Sequence, residues 1–498
     1  MKPSRILIAS VVLVLCVAAV IISVADLDKG DGAASLIIIS PGSTEAVLME
    51  EGRRSAADVL SGQGRVPGAG PIYAYTSDQD LIRVQDGASI TVRDGVARLS
   101  SGQGLEALAW SGGERMTTLM SVASTASTCL SLYHPSNEEP LVRAGVERVV
   151  ALEIDGLGWE MLKGLADRGI LKNITGLGNA GPALTAYPPI TNVGTAMALT
   201  GRPPAWNGIM DREDHFLREP TFLETAGSAG FTTAHIEGPS RFLNIDLELH
   251  VDLNGNGDVD DEIHAMLLEE IENGTDVVLA HYHSVDDAGH EGFALDEGLG
   301  NASDFIDRSV GEVVSMLSDT SVPTLLILFS DHGMHASNEG GEHGEYSHED
   351  LFAFTAWRTF GDAAPLDVCA LEVEMGERTM KYDLPDLMNM SATVGTYAVR
   401  SSTSNGTHVF TGVEVATLLE AAGAGAGWTS LEMSASDGYA LSVPGEWAAP
   451  GSGLMIAYAV DGRPLVDDGP LRLIVPQTLA GEYNGQFCLK SVSSVEVV

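Results

Sequence analysis

TLLILFSDHGM, at residues 324–334, is a strand-like run of apolar and β-branched residues that ends in Asp331 and His332. Two similar runs, VVALEI at 149–154 and VVLAHY at 277–282, are also followed closely by polar residues. Longer amphipathic segments separate the runs, and this alternation is typical of a doubly wound α/β domain with a mostly parallel sheet. Such sheets build their sites at the carboxyl ends of the strands, so we expect these polar residues to meet there.

The α/β pattern occupies the centre of a chain of 498 residues, which is long enough for about three domains. Before it, we expect a strand at residues 35–39 and a helix at about residues 45–60. We predict four segments along the chain: a membrane anchor or signal peptide at 1–29, an α+β region without assigned function at 30–147, the α/β domain at 148–364, and a β-rich domain at 365–498.

The charge of the chain is strongly acidic. It contains 69 Asp and Glu residues against 27 Lys and Arg residues, for a formal net charge of −42. This charge repels the phosphates of nucleic acids and anionic lipid headgroups, which excludes nucleic-acid binding through a basic groove. Hydrophobic residues make up 44% of the chain, as in ordinary globular proteins, which excludes a disordered chain.

Residues 6–25 form an uninterrupted apolar and small-residue run, preceded by Lys2 and Arg5 and followed by Asp26. A helix of this length spans about 30 Å, enough for a bilayer, and the basic flank keeps the N-terminus cytoplasmic. We therefore predict a single-pass anchor in the cell membrane, with the rest of the chain extracytoplasmic. Ser23-Val24-Ala25 also fits a signal-peptide cleavage site, so a secreted protein is the alternative.

Carboxylates, imidazoles and one threonine hydroxyl recur at five points of the central region. These are Asp155-Gly156, Thr191-Asn192, Asp286 with Gly289-His290, Asp331-His332-Gly333, and Gly341-x-His343-Gly344. Oxygen and nitrogen ligands in this ratio suit two divalent ions such as Zn²⁺. Two ions about 4 Å apart can clamp the attacking and leaving oxygens of a phosphoryl group. The alternative is a set of unrelated surface and capping residues.

At these residues the chain resembles the alkaline phosphatase superfamily and, within it, the type I phosphodiesterase and nucleotide pyrophosphatase branch, over about residues 148–360. The matching pieces include Glu153-Ile154-Asp155-Gly156, Tyr187-Pro188-Pro189-Ile190-Thr191-Asn192, the stretch 283–290, Ser330-Asp331-His332-Gly333-Met334, and Glu342-His343-Gly344. The resemblance implies one metal on Asp286, His290 and His343, and another on Asp155, Asp331, His332 and the hydroxyl of Thr191. It also implies that Thr191 is the nucleophile. A sulfatase is excluded because no Cys- or Ser-x-Pro-x-Arg motif surrounds Thr191.

Two further residues are candidates for phosphoryl contacts. That branch tends to have His-Gly-Ile-x-x-Asn where this chain has Asn207-Gly208-Ile209-Met210-Asp211-Arg212. Arg212 can grip phosphoryl oxygens bidentately, or it can pair with Glu213 or Asp214 on the surface. Asn192 can donate to a phosphoryl oxygen, or it can serve as a turn or helix-cap residue.

Other histidines compete with these candidates. His348 lies five residues after His343 and is the competing ligand, but Gly344 beside His343 allows close approach of the backbone. We assign His283 and His335 to supporting or surface positions.

The acidic loop from Asp252 to Glu262 has the Asp and Asn spacing of a calcium loop, at Asp252, Asn254 and Asn256. Its register is imperfect because Ile263 occupies the twelfth position, where a bidentate carboxylate is needed. Bound Ca²⁺ and a solvated acidic turn both remain open.

The segment from about residue 366 to the end resembles the molybdopterin-binding domain of sulfite-oxidase-type proteins. The matching pieces include Thr411-Gly412-Val413, Ser436-Asp437-Gly438-Tyr439, Asp461-Gly462-Arg463-Pro464-Leu465 and the stretch 469–476. Neither Cys369 nor Cys488 lies in a motif matching that family's molybdenum-binding cysteine. We therefore predict a domain without the cofactor, used for packing or binding.

These observations predict an extracytoplasmic, metal-dependent phosphoesterase that cleaves phosphodiester or pyrophosphate bonds through Thr191 and two metal ions. The alternatives within this class are a phosphomonoesterase and a transferase that moves phospho-headgroups on lipids or glycans. The alternative outside it is a surface protein that binds a ligand on the same scaffold. Nothing in the sequence indicates an oligomeric state.

Overall fold

The protein is represented by a computed structural model. It describes residues 33–62, 72–84, 89–100, 102–110, 116–130, 146–178, 180–249, 251–292, 297–337, 340–361, 370–376, 378–382, 387, 390, 392–401, 405–424, 428–436, 438–461, 463–465 and 471–498. The predicted membrane segment, residues 6–25, lies outside this set, as does Cys369. Within the described ranges, no helix combines the length and apolarity that a bilayer crossing requires.

Two compact units make up the chain. One contains Met1–Gly113 with Tyr346–His348, and the other contains Glu114–Glu345 with Glu349–Val498. The second unit therefore includes both the α/β residues and the C-terminal β-rich residues. The domain boundaries drawn from the sequence stay predictions.

The first unit is built on two antiparallel-rich sheets. The five-stranded sheet has the order β2-β1-β8-β4-β5, with β1 at Ala34–Ser40, β2 at Ser43–Met49, β4 at Ile72–Thr76, β5 at Leu81–Val84 and β8 at Leu105–Trp110. The other sheet comprises β3 (Gly52–Ser55), β6 (Ser89–Arg93) and β7 (Val96–Leu99). The one described helix of this unit outside residues 346–348 is α1, Ala56–Gly62. The helix predicted at about residues 45–60 is found only in its last part, as α1, and is wrong for the part within residues 43–49, which pair along their whole length with β1.

An eight-stranded mixed sheet forms the centre of the second unit. Its order is β13-β12-β14-β10-β15-β18-β11-β9. The strands are β9 (Thr117–Thr118), β10 (Arg148–Ile154), β11 (Gly181–Leu184), β12 (Thr233–Glu237), β13 (Glu248–Leu249), β14 (Val277–Tyr282), β15 (Thr324–Phe329) and β18 (Phe352–Phe360). The first five strands in this order, β13, β12, β14, β10 and β15, are parallel to one another. Strand β18 is antiparallel to both of its neighbours, β15 and β11. The mostly parallel α/β sheet is confirmed.

Helices cover both faces of this sheet, which makes it doubly wound. They are α2 (Met120–Cys129), α3 (Trp159–Asp167), α4 (Lys172–Thr175), α5 (Thr191–Thr200), α6 (Pro204–Asn207), α7 (Phe222–Ser228), α8 (Asp260–Asn273), α9 (Ser284–Glu291), α10 (Glu297–Ser318) and α11 (His348–Leu351). Val150, Leu152 and Ile154 of β10 join one core with α3, α8 and α10. On the other face, α2 contacts β15 and α7 contacts β14. Burial on both faces explains why the central strands are almost entirely apolar.

The C-terminal residues form two further sheets around their own apolar core. One has the order β20-β19-β28-β23-β24, with β19 at Leu371–Met375, β20 at Arg378–Tyr382, β23 at Ser430–Ala435, β24 at Ala440–Pro444 and β28 at Val492–Val497. The other contains β21 (Ala392–Arg400), β22 (Asn405–Glu414), β25 (Met455–Val460), β26 (Arg463–Pro464) and β27 (Arg472–Ile474). Helices α12 (Val415–Ala422) and α13 (Gln477–Ala480) connect them. The prediction of a β-rich C-terminal part is confirmed. Two short strands of the α/β part, β16 (His335–Ala336) and β17 (Gly341–Glu342), pair with each other.

Candidate metal centre and active site

The carboxyl ends of three neighbouring parallel strands bring the predicted metal ligands together. Asp155 follows β10 directly, and Asp331 and His332 follow β15 after one residue. Asp286 lies in the first turn of α9, just after β14. Gly156 permits this approach, since a Cβ there would lie 2.6 Å from Asp286 Oδ1. The sheet order β14-β10-β15 thus places the three motifs side by side.

All seven predicted ligand residues lie in one place. Potential ligand atoms of Asp155, Asp331 and His332 fall within 4.8 Å of one another, and so do those of Asp286, His332 and His343. The Nε2 atom of His290 lies 3.2 Å from Asp286 Oδ2. Thr191 Oγ1 lies 3.4 Å from His332 Nε2. Their roles as metal ligands stay predictions.

Backbone carbonyls orient three histidine rings of the cluster. His290 Nδ1 donates to Gly341 O at 2.8 Å, His332 Nδ1 to Gly333 O at 2.9 Å, and His343 Nδ1 to Pro189 O at 3.0 Å. A carbonyl only accepts hydrogen bonds, so each Nδ1 carries the hydrogen and each Nε2 is left to face the carboxylates. This arrangement is typical of metal-binding histidines.

The electrostatics of the cluster suit a cation. Burial lowers the pKa of His343 to about 3, so its ring is neutral and its Nε2 offers a lone pair. Burial also raises the pKa of Asp331 well above its usual range, and the charge of Asp155 adds to this effect. The hydrogen bond from His290 to Asp286 raises the pKa of that histidine to about 9.

Three buried carboxylate oxygens in the cluster accept no hydrogen bond from any residue that the structure describes. They are Asp155 Oδ1, Asp286 Oδ1 and Asp331 Oδ2. Buried carboxylates left without donors are costly unless a cation compensates them. The donor set, carboxylate oxygen with imidazole nitrogen, therefore fits divalent ions of the zinc class.

Thr191 begins α5 and opens into a cavity of about 420 Å³. The cavity is also lined by Asp155, Asn192, Arg212, Asp286, His290 and His343, among others. The nine residues of α5 after Thr191 are buried, so the helix is firmly held. A hydroxyl at a helix N-terminus sits where the helix dipole favours a developing negative charge.

Arg212 and Asn192 differ in whether their side chains are available to a ligand in this cavity. Arg212 is exposed and pairs with no carboxylate in the described ranges, so its guanidinium is available to a ligand. Asn192 Nδ2 instead donates to Asp211 O at 2.7 Å and to Asp214 O at 2.8 Å. Both amide hydrogens of Asn192 are therefore used to hold the loop that carries Arg212. These bonds disfavour a direct contact of Asn192 with phosphate, which stays a prediction.

His348 and His335 lie outside the cluster. His348 Nδ1 is 3.1 Å from Thr44 Oγ1, and its backbone N–H donates to the same oxygen at 2.7 Å, within the first unit. His335 Nδ1 pairs with Asp350 Oδ1 at 2.7 Å. The choice of His343 over His348 is thus consistent with the geometry.

The sequence analysis missed a second, adjoining cluster around Glu237 at the end of β12. Glu237 Oε2 accepts a hydrogen bond from His281 Nδ1 at 2.9 Å, and Oε1 accepts one from His283 Nε2 at 2.6 Å. Both histidines also face Asp155 with their other ring nitrogens, which lie 3.5 Å (His281 Nε2) and 3.7 Å (His283 Nδ1) from Asp155 Oδ2. Ionisable residues inside otherwise apolar buried strands, such as His281 and Glu153, were the available clue.

The calcium-like loop uses its oxygens internally. Asp252 Oδ1 accepts from the backbone N–H of Gly255 at 2.6 Å, and Oδ2 accepts from that of Gly257 at 2.8 Å. Asn254 Nδ2 donates to Asp261 Oδ2 at 2.6 Å, and the backbone N–H of Asn256 donates to Asn254 Oδ1. The loop is exposed, and Ca²⁺ at Asp252, Asn254 and Asn256 stays a prediction.

In the C-terminal part, Cys488 lies in the core, with its Sγ 3.5 Å from the donating backbone N–H of Val475. Burial raises the pKa of its thiol. A thiol in this environment is poorly suited to bind a metal, because the thiolate is the ligand. The absence of a molybdenum cofactor stays a prediction.

Two protein families match the chain, and they are the two that the sequence resembles. The family described as "Type I phosphodiesterase / nucleotide pyrophosphatase" matches residues 149–397, half of the chain. The family described as "Oxidoreductase molybdopterin binding domain" matches residues 367–498. Over 112 residues, or 22% of the chain, the sequence is 32% identical to GPI ethanolamine phosphate transferase 3 of Schizosaccharomyces pombe, and this match spans 12% of that protein.

Solved structures from the same superfamily overlap in part. Murine ectonucleotide pyrophosphatase/phosphodiesterase 5 is 16% identical with a TM-score of 0.31, and the match covers 39% of this chain and 59% of that one. The C-terminal periplasmic domain of a phosphoethanolamine transferase from Campylobacter jejuni is 13% identical with a TM-score of 0.33, covering 43% and 80%.

Proposed function

The chain belongs to the type I phosphodiesterase/nucleotide pyrophosphatase family, and we propose that it cleaves phosphodiester or pyrophosphate bonds with Thr191 as nucleophile. One observation carries the proposal. The Thr191 hydroxyl lies beside six other converging candidate ligand side chains, at the wall of a cavity large enough for a phosphoryl group.

The residues divide into two sets that would hold divalent ions. Asp155, Asp331, His332 and the hydroxyl of Thr191 would hold one ion, and Asp286, His290 and His343 would hold the other. When bound, such ions neutralise charge on the phosphoryl oxygens and on the attacking and leaving oxygens. Zinc is our candidate, since each set mixes carboxylate and imidazole ligands.

The chain's own residues then account for the rest of the chemistry. Arg212 binds phosphoryl oxygens from the cavity wall, and the N-terminus of α5 favours negative charge on Thr191. The Thr191 oxygen gives its proton to solvent water and attacks phosphorus. The bond from phosphorus to the leaving oxygen breaks, and that oxygen departs with a proton from water. Water next cleaves the phosphothreonine, which restores the hydroxyl and releases the phosphorylated product.

A second candidate is transfer of a phospho-headgroup to a lipid or glycan hydroxyl. The 32% identity with a GPI ethanolamine phosphate transferase favours it. The first half of the reaction is the same, and an acceptor alcohol replaces water in the second half.

For both candidates we propose a site outside the cytoplasm, on a chain anchored by residues 6–25. Recovery of the full chain in the soluble cytoplasmic fraction would contradict this location.

The test is an assay of the full chain in detergent against a nitrophenyl nucleotide diester and a nitrophenyl phosphate monoester. We expect faster cleavage of the diester, loss of activity after exhaustive chelation and recovery on adding Zn²⁺. An added alcohol that takes up the phosphoryl group in preference to water would establish the transferase. Full activity after chelation would refute the two-ion site, and no turnover of either ester with zinc present would favour a ligand-binding protein.

A further inference from the structure

Glu237 fixes the hydrogens on two histidines beside the proposed active site. Its carboxylate is almost completely buried and accepts from His281 Nδ1 and from His283 Nε2. A carboxylate only accepts, so the hydrogens sit on those two nitrogens. In the neutral form of each ring, the opposite nitrogens, His281 Nε2 and His283 Nδ1, carry no hydrogen and offer lone pairs.

Both free nitrogens face one oxygen of Asp155. His281 Nε2 lies 3.5 Å from Asp155 Oδ2, and His283 Nδ1 lies 3.7 Å from the same atom. Hydrogen bonds between nitrogen and oxygen measure about 2.7–3.2 Å, so both separations are too long for one. Two ligand atoms at about 2.0–2.1 Å from a tetrahedral zinc ion stand about 3.4 Å apart, close to the observed separations.

The balance of buried charge points the same way. Five carboxylates are no more than 3% exposed within this region: Glu153, Asp155, Glu237, Asp260 and Asp331. The Nε2 atom of His281 receives no hydrogen bond from any described residue, although the ring is completely buried. When both rings are neutral, three lone-pair atoms face one another here, and they repel unless a cation lies between them.

We propose that Asp155 Oδ2, His281 Nε2 and His283 Nδ1 bind a third divalent ion of the zinc class, in addition to the two ions of the proposed active site. Asp155 would then bridge two ions, because its other oxygen lies 3.3 Å from His332 Nε2. Glu237 supports the site by orienting both imidazoles. The inference rests on the proposed function only in that Asp155 is taken as a ligand there.

The experiment counts metal ions per chain. The full-length protein is loaded with Zn²⁺ in detergent, freed of excess zinc and measured by elemental mass spectrometry. We expect about three zinc ions per chain in the wild type and about two in the double variant His281→Gln, His283→Gln. The matched control is His264→Gln, which changes a buried histidine bonded to Tyr282 and should leave three ions.

A milder variant covers the case in which the double variant fails to fold. Glu237→Gln keeps the size of the side chain but alters the orientation of both rings, and we expect it to weaken retention of one ion about 10- to 100-fold in chelator competition. Two ions in the wild type, or unchanged retention in Glu237→Gln, would overturn the third site and leave the proposed function intact. A wild type that binds no zinc would contradict both.

Discussion

Two parts of the second unit bury different kinds of polar side chain. In the α/β part, the buried polar residues at and near the strand ends include six ionisable ones: Glu153, Asp155, Glu237, His281, Asp331 and His332. Among the described residues of 371–498, the buried polar residues are neutral, namely Thr411, Asn484 and Ser491.

The buried polar groups of the two parts also differ in their hydrogen bonding. Asn484 donates to Ala398 O at 2.9 Å and to Val475 O at 2.7 Å, and it accepts from the Arg400 backbone N–H at 3.0 Å. In the α/β part, carboxylate oxygens of Asp155, Asp286 and Asp331 have no donor among the described residues. A satisfied buried amide stabilises a fold, whereas an unsatisfied buried carboxylate indicates a site for a cation.

The largest effect that would break this comparison concerns Thr191. Thr191→Ala should lower kcat/KM for the preferred ester by about 10³-fold or more, because the attacking oxygen is removed. Thr191→Ser should retain part of the activity. Thr200→Ala, at the other end of α5, is the control and should keep near-normal turnover. Wild-type rates in Thr191→Ala would remove this residue from the mechanism.

Asp331→Ala should lower activity by about 100-fold and reduce the zinc content. It removes one of the carboxylates whose oxygen lacks a donor. Zinc should also protect the wild type against heat more than it protects the variant, because ions that bind only the native state stabilise it. Asp304→Ala, which removes an exposed partner of Arg308, is the control. Equal zinc content in the variant and the wild type would count against the ligand role.

Buried His235 should make the stability of the α/β part depend on pH. It is buried with neither ring nitrogen bonded to a described residue, and burial lowers its pKa to about 4. The unfolded chain takes up the proton more readily, so the contribution of His235 is fully present above about pH 6.5 and is lost as the pH falls towards 4. The loss is about 3 kcal/mol.

Urea unfolding of the zinc-free protein at pH 7 and pH 4 measures this effect. His235→Leu should lose less stability than the wild type over that interval. His408→Leu, at an exposed histidine, should behave like the wild type. Identical losses in His235→Leu and the wild type would show that His235 is not buried in its neutral form.

Asn484→Ala tests the C-terminal side of the comparison. The change leaves buried backbone groups without partners, so we expect about 2 kcal/mol of destabilisation in urea unfolding. Zinc content and the kcat of the folded protein should stay unchanged. A drop in zinc content would mean that this part of the chain also supports the metal centre.

The smallest expected effect is that of Arg212→Ala. Arg212 is exposed at the cavity wall, so its loss should lower kcat/KM about tenfold for a dianionic monoester and less for a monoanionic diester. The contrast arises because a guanidinium contact is stronger when the oxygens carry more charge. Arg218→Ala is the control outside the residues that line the cavity. Equal losses on both esters would show that Arg212 does not discriminate by charge.

Local motifs were enough to predict the main parts of the fold and the candidate ligands. The three apolar runs form β10, β14 and β15, as expected because strands buried on both faces are largely apolar. The polar residues after them meet because parallel strands end at one edge. Each of these inferences depends on residues close together in sequence.

The remaining features depend on long-range pairing. Glu237 meets His281 and His283 only because β12 lies beside β14 in the sheet. The stretch STEAVLM at Ser43–Met49 has helix-forming residues, but pairing with β1 makes it a strand. The partners of Asn192 were equally hidden, since they lie 19 and 22 residues further along the chain.

The two hydrogen bonds of Asn192, the neighbour of Thr191, hold the loop that carries Arg212. Asn192 contacts only backbone carbonyls, whereas the Asp211 and Asp214 side chains accept from the backbone N–H groups of Glu213 and Met210. Residues 212 and 213 can therefore vary while these bonds persist. Substitutions at these positions can therefore change the charge preference of the cavity without moving Thr191. Grafted loops of equal length would be a practical route to new substrate ranges on this scaffold.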